Sequence, residues 1–165
     1  MPIKSVLSIL FIILSIAVSP ARAAGNLSVN EQVVLNASAD QVWKVIGGFG
    51  TLDTWHPGVV KEVMTGSGTR PGDTRVLTLQ NGGTVTEVLV DHDDHNRKYS
   101  YTIKQSPLPV SQYLSTLKVL PMGKDLARVV WSATFNARGV PDKQAMDAVR
   151  GIYASGFKGL AEHFK

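Results

Sequence analysis

The chain has 165 residues, with 17 Lys and Arg, 13 Asp and Glu and no cysteine. The missing cysteines exclude a disulfide scaffold, a thiolate zinc site and a cysteine nucleophile, so the fold must hold by packing alone. The net charge of +4 comes from basic residues scattered singly rather than in a stripe, which excludes a nucleic-acid partner.

Residues 1–23 read as a cleavable signal peptide: a basic residue at Lys4, an apolar run from Val6 to Val18, and the small-residue site Ala21-Arg22-Ala23. The run is shorter than the roughly 20 apolar residues of a spanning helix, and Ser19-Pro20 stops it. The expectation is therefore a periplasmic or secreted protein with no stable membrane span after cleavage. Loss of Lys4 and Arg22 leaves 15 basic residues against 13 acidic ones, so the basic balance carries little information. Residues 24–165 have the length of one domain and contain no repeat, low-complexity stretch or linker.

Leu27–Leu35, with Val29, Val33 and Val34 among polar residues, predicts a first strand. Asn36, Ser38 and Asp40 then offer N-caps to a helix of barely two turns, whose apolar face is Val42, Trp43, Val45 and Ile46 and whose end is Gly47-Gly48. A second helical turn is predicted at Thr51–Trp55, stopped by Pro57 and Gly58. From there the period becomes two, giving strands near 59–65, 73–80, 84–91, 97–105, 111–120 and 126–137. Turn-formers such as Asn81-Gly82-Gly83 separate them, and connections this short make antiparallel neighbours. After Pro141, apolar residues recur at three and four through Phe164, one long amphipathic helix. The layout is α+β: a curved antiparallel sheet around a terminal helix.

Alternation places Arg75, Leu77 and Leu79 on one face of their strand, and Val85, Glu87 and Leu89 on one face of the next. If the intervening turn keeps both stripes on one side, Arg75 and Glu87 are inward-facing neighbours. Two readings stand: a structural ion pair, since buried charges persist only when paired, or two fixtures of a ligand cavity. The following strands present Tyr99 and Tyr101, then Tyr113, then Trp131 on single faces, which suits either a core or a mostly apolar pocket with a few polar groups. His56, between Trp55 and Pro57 and close after Asp53, raises a general-base hypothesis in which the carboxylate orients the imidazole. Its alternative is a loop shaping the pocket entrance. Asp91-His92-Asp93-Asp94-His95 has metal-ligand residue types, but its place between two strands predicts a polar hairpin loop. No metal or cofactor is expected.

The stretches Ala39-Asp40-Gln41-Val42-Trp43, Trp55-His56-Pro57, Gly72 to Leu79 with Glu87 following, Tyr99-Ser100-Tyr101 and Ser106-Pro107-Leu108-Pro109-Val110 resemble the polyketide cyclase/dehydrase branch of the START/Bet v 1-like (SRPBCC) superfamily, over nearly all of residues 24–165. The resemblance implies a helix-grip fold: a seven-stranded antiparallel sheet curled around the C-terminal helix, two short helices after the first strand, and a hydrophobic cavity between. An exported member of this size is similar to MxaD-type periplasmic proteins, which implies support of a quinoprotein methanol dehydrogenase and its cytochrome partner. The superfamily holds binders as well as enzymes, so catalysis stays open, with Glu87 and His56 as the candidate proton carriers. The expected role is binding of a small hydrophobic or amphipathic ligand at Trp55, His56, Arg75, Glu87, Tyr99, Tyr101, Tyr113 and Trp131. The alternatives are a cyclase or dehydratase using acid-base residues in the cavity, and a lipid carrier.

Overall fold

A computed structural model describes residues 25–165, so the signal-peptide reading of residues 1–23 lies outside the described residues. Seven strands form one antiparallel sheet: β1 (Leu27–Leu35), β2 (Val59–Thr65), β3 (Thr74–Leu79), β4 (Thr84–Asp93), β5 (Lys98–Gln105), β6 (Val110–Pro121) and β7 (Ala127–Ala137). Their order is β1-β7-β6-β5-β4-β3-β2. Strands β2 to β7 thus form a meander, and β1 closes against β7, the last strand before the terminal helix. Helix α1 (Ala39–Ile46) and a single 3₁₀ turn at Leu52–Thr54 follow β1, and the long helix α2 (Asp142–His163) ends the chain. This is the helix-grip arrangement that the resemblance implied. Among the described residues no helix is long and apolar enough to cross a membrane.

The alternation holds because one sheet face is buried against α2. Val129, Trp131, Ala133 and Phe135 of β7 are buried, as are Ala145, Val149, Tyr153, Phe157 and Leu160 of α2, the two halves of the core. Gly82, at φ 81°, occupies the left-handed region that the tight β3–β4 turn requires. Helix α1 starts with a capping box, in which the Ser38 side chain accepts from Gln41 N–H and Gln41 returns a bond to Ser38 N–H.

Strand β4 runs to Asp93, two residues past the predicted end, because His92 and Asp93 still pair with Tyr99 and Lys98 of β5. The acidic and histidine run is therefore half strand and half turn. Its side chains act as tethers: His92 Nε2 lies 2.8 Å from the Gly47 carbonyl, and Asp94 accepts from Trp43 Nε1 at 2.8 Å. Asp93 caps the turn through Asn96. Arg97 adds a bond to Asp40 at 2.8 Å, so both ends of α1 are fastened to the β4–β5 turn.

Candidate functional site

Arg75 and Glu87 occupy directly opposed positions on β3 and β4. Arg75 Nε donates to Glu87 Oε2 at 2.6 Å, and Nη1 donates to the Phe49 carbonyl at 2.7 Å. The Phe49 ring lies under the guanidinium, 4.2 Å from its carbon, and the Tyr101 ring is 5.1 Å away. Arg75 is fully buried. A third charge, which alternation did not single out, completes the cluster: Glu62 Oε1 stands 3.8 Å from Arg75 Nη1, while its Oε2 accepts from Leu52 N–H at 2.7 Å. Glu62 reaches the inner face because a bulge between Val59 and Lys61 shifts the register of β2. Burial raises the carboxyls of Glu87 and Glu62, with Arg75 opposing the rise in both. Burial also opposes the Arg75 charge, but Glu87 with Tyr99, Tyr101 and Glu62 outweighs it and holds the guanidinium above its ordinary value.

A cavity of about 390 Å³ lies between this half of the sheet and α2. Its walls are apolar: Leu77, Leu79, Val85 and Ile103 from the strands, Leu108 from the β5–β6 loop, and Trp131. Along α2 the wall is Ala148, Gly151, Ile152 and Ser155, and the small side chains of Ala148, Gly151 and Ser155 leave the space. Asn81 and Gly151, both exposed, stand at its mouth. The polar groups in the lining include His56, Glu87, Tyr101 and Tyr113, and among the described residues it holds no lysine or arginine.

Of the eight predicted ligand residues, His56, Glu87, Tyr101, Tyr113 and Trp131 line this cavity, and Trp55, Arg75 and Tyr99 do not. Arg75 is screened behind Glu87. Tyr99 is buried between Phe49 and Tyr101, with ring centroids 5.9 and 6.0 Å away, and burial pushes its hydroxyl up to about 12. Trp55 packs on Trp131 at 5.7 Å. Gly156 and Gly159 let the Trp55-His56-Pro57 segment lie directly on α2, since a Cβ at either glycine would collide with it.

The Asp53–His56 pairing suggested by sequence is not made. Asp53 accepts from the Glu62 N–H at 3.1 Å instead, because the 3₁₀ turn aims it at β2. His56 is held by backbone on both sides: Nδ1 accepts from Gly58 N–H at 3.0 Å, which leaves the proton on Nε2, 3.0 Å from the Ile152 carbonyl. Burial lowers its pKa below 6.5, and the imidazole is neutral with both nitrogens engaged. Through these two bonds it fastens α2 to the loop.

Beneath the cavity runs a chain of hydroxyls that includes Tyr153 of α2, which sequence periodicity read only as a core position. Tyr113 and Tyr153 hydroxyls are 2.7 Å apart, and Tyr153 and Ser115 are 2.9 Å apart. Trp131 Nε1 donates to Tyr101 at 3.0 Å and to Ser115 at 3.1 Å. Burial raises Tyr101, Tyr113 and Tyr153 well above the usual phenol range, so all three are neutral. The Trp131 and Tyr153 rings stack at 4.3 Å.

A curled sheet gripping a helix over an apolar cavity defines a helix-grip ligand-binding architecture. The chain belongs to the polyketide cyclase / dehydrase and lipid transport family, whose model matches residues 26–165. Among solved structures, it is similar to an uncharacterized protein from Bacillus thuringiensis, with 34% identity, a TM-score of 0.79, and coverage of 84% of this chain and 98% of the other. The protein XoxI from Bacillus cereus matches at 34% identity and a TM-score of 0.78, covering 83% and 94%. A START superfamily protein from Mycobacterium smegmatis shares the fold, at 14% identity and a TM-score of 0.68, covering 83% and 96%. No curated protein matches the chain.

Proposed function

We propose that this protein binds a small apolar or amphipathic molecule in the cavity between the sheet and α2, and does so without making or breaking a bond. The observation that carries this reading is the lining itself: about 390 Å³ walled by aliphatic and aromatic side chains with few polar groups. Support for binding over catalysis comes from the state of the candidate proton carriers. His56 has both nitrogens bonded to backbone, so of the two candidates only Glu87 faces the cavity with a free oxygen, and it has no imidazole working with it. An acid-base reaction needs such groups to converge on one point.

The neutral fluorophore N-phenyl-1-naphthylamine tests the reading. Its emission should rise on mixing with the protein, and Gly151→Trp, which fills the mouth, should abolish the rise. A wild-type protein that leaves the probe dark overturns cavity binding.

The proposal extends to place and partner. After removal of residues 1–23 the protein acts in the periplasm, supporting a quinoprotein dehydrogenase and its cytochrome in the oxidation of methanol. This part rests on the sequence features of the leader and on the resemblance to MxaD-type proteins. Edman sequencing of the exported protein should begin at Ala24, and deletion of the gene should slow periplasmic methanol oxidation. An unchanged rate removes the accessory role while leaving ligand binding in place.

A further inference from the structure

The hydroxyl chain under the cavity has a fixed direction. Ser115 Oγ lies 3.0 Å from the Ser132 carbonyl, which only accepts, so the Ser115 hydrogen is committed there. Ser115 Oγ therefore accepts from Tyr153, and Tyr153 in turn accepts from Tyr113. Trp131 Nε1 has one hydrogen and no lone pair to offer, and it shares that hydrogen between Ser115 and Tyr101. Tyr101 is thus an acceptor within the protein, and its own hydrogen has no partner among the described residues. Tyr101 stands in the cavity lining.

Glu87 presents the complementary group. Its Oε2 is held by Arg75. Its Oε1 bonds to no protein atom and, unlike Glu62 Oε1, is not sealed in the interior; Glu87 also lines the cavity. On the β4–β5 ladder Leu89 pairs with Tyr101 and Glu87 with Ile103, which makes Glu87 and Tyr101 diagonal neighbours on the inner face. One wall of the cavity therefore offers an open acceptor beside an open donor.

We infer that the cavity takes a neutral amphiphile ending in a hydroxyl, a long-chain alcohol or phenol, which donates to Glu87 Oε1 and accepts from the Tyr101 hydroxyl. This rests on the cavity-binding reading above and adds the class of ligand. A hydroxyl is the smallest group that answers both fixtures at once. An ammonium would satisfy Glu87 but has no lone pair for Tyr101. A carboxylate would meet Glu87 with no cation in reach, because the lining has no lysine or arginine among the described residues and Arg75 is screened. Fatty acids are the class this wall rejects.

Isothermal titration at pH 8 with decanol, 1-methoxydecane and decanoate tests the inference, since the three share one chain and differ at the head. Decanol should bind about tenfold or more tighter than the ether, which cannot donate, and than decanoate. Tyr101→Phe should weaken decanol several-fold while the fold persists, because Ser115 still accepts the Trp131 hydrogen; a thermal melt checks the latter. Equal binding of the three probes, tightest binding of decanoate, or an unchanged decanol affinity in Tyr101→Phe overturns the ligand class and leaves the cavity reading standing. If none of the three binds the wild type, both fall.

Discussion

Arg75 and Glu87 face each other across the β3–β4 ladder with Nε and Oε2 2.6 Å apart, and Glu87 alone of the two touches the cavity. The pair answers both questions the sequence left open: it is an ion pair that holds the wall together, and one of its members is also part of the lining. Removing the guanidinium leaves two buried carboxylates without a counter-charge. Arg75→Met should cost about 3–5 kcal/mol of stability in urea denaturation. The double variant Arg75→Met/Glu87→Leu should recover part of that loss, since it removes one of the two stranded carboxylates and leaves Glu62.

The same burial sets opposing pH effects. His56 resists protonation in the folded state, so below 6.5 the unfolded chain binds more protons, and stability falls as pH drops from 6.5 through the lowered folded value. Glu62 and Glu87 act the other way. Their folded pKa values lie above 4.5, so the folded state holds protons longer, and the stability they contribute on the acid side is lost as pH rises above 4.5 through the raised values. By nitrogen NMR at pH 6.5, where a free imidazole is half protonated, the His56 ring should be mostly neutral with its proton on Nε2. His56→Leu should abolish the His56-linked part of the acid-side loss; a protein whose His56 titrates near 6.5 would show that the ring is not held as described.

Two glycines on α2 should respond in opposite directions to the same change. Gly159→Ala drives a methyl group into the Trp55 carbonyl and Pro57, and overpacking of this kind costs about 1–3 kcal/mol. Gly151→Ala meets open space and gains helix propensity, about 0.5–1 kcal/mol. Melting temperatures of the two variants should therefore lie on either side of the wild type.

The directed hydroxyl chain predicts a rank order. Tyr153→Phe removes the donor to Ser115 and the acceptor for Tyr113 together, whereas Tyr113→Phe removes a single donor. The first should cost more, about 1–3 kcal/mol against about 1 kcal/mol, when both are measured by chemical denaturation.

Strand parity makes the fold and half of the wall legible in the sequence. Arg75 with Glu87, and Leu77 with Val85, are paired as alternation required, because a face buried against a helix fixes register. What parity could not give came from irregular backbone. Glu62 is hidden from a period-two reading by the bulge after Val59, and Phe49, whose carbonyl completes the Arg75 site, sits in a loop with no period. Tyr153 fell within a helical apolar repeat, and nothing in that repeat distinguishes a hydroxyl that bonds across to β6 from one packed in the core. The cavity itself is a property of small residues: Ala148, Gly151 and Ser155 on one side of α2 signal their role only once it is known what they fail to touch.

The fastening of α1 to the β4–β5 turn has a further consequence. Trp43 with Asp94, Gly47 with His92, and Asp40 with Arg97 tie α1 to the sheet away from the cavity lining, whose exposed members include Asn81 and Gly151; a guest of the proposed kind would enter past those two. Under the proposed binding role, selectivity by size would fall to the loops and selectivity by chemistry to the sheet wall. Evolution or design could widen or narrow the doorway in its loops while leaving untouched the wall that reads the guest's head.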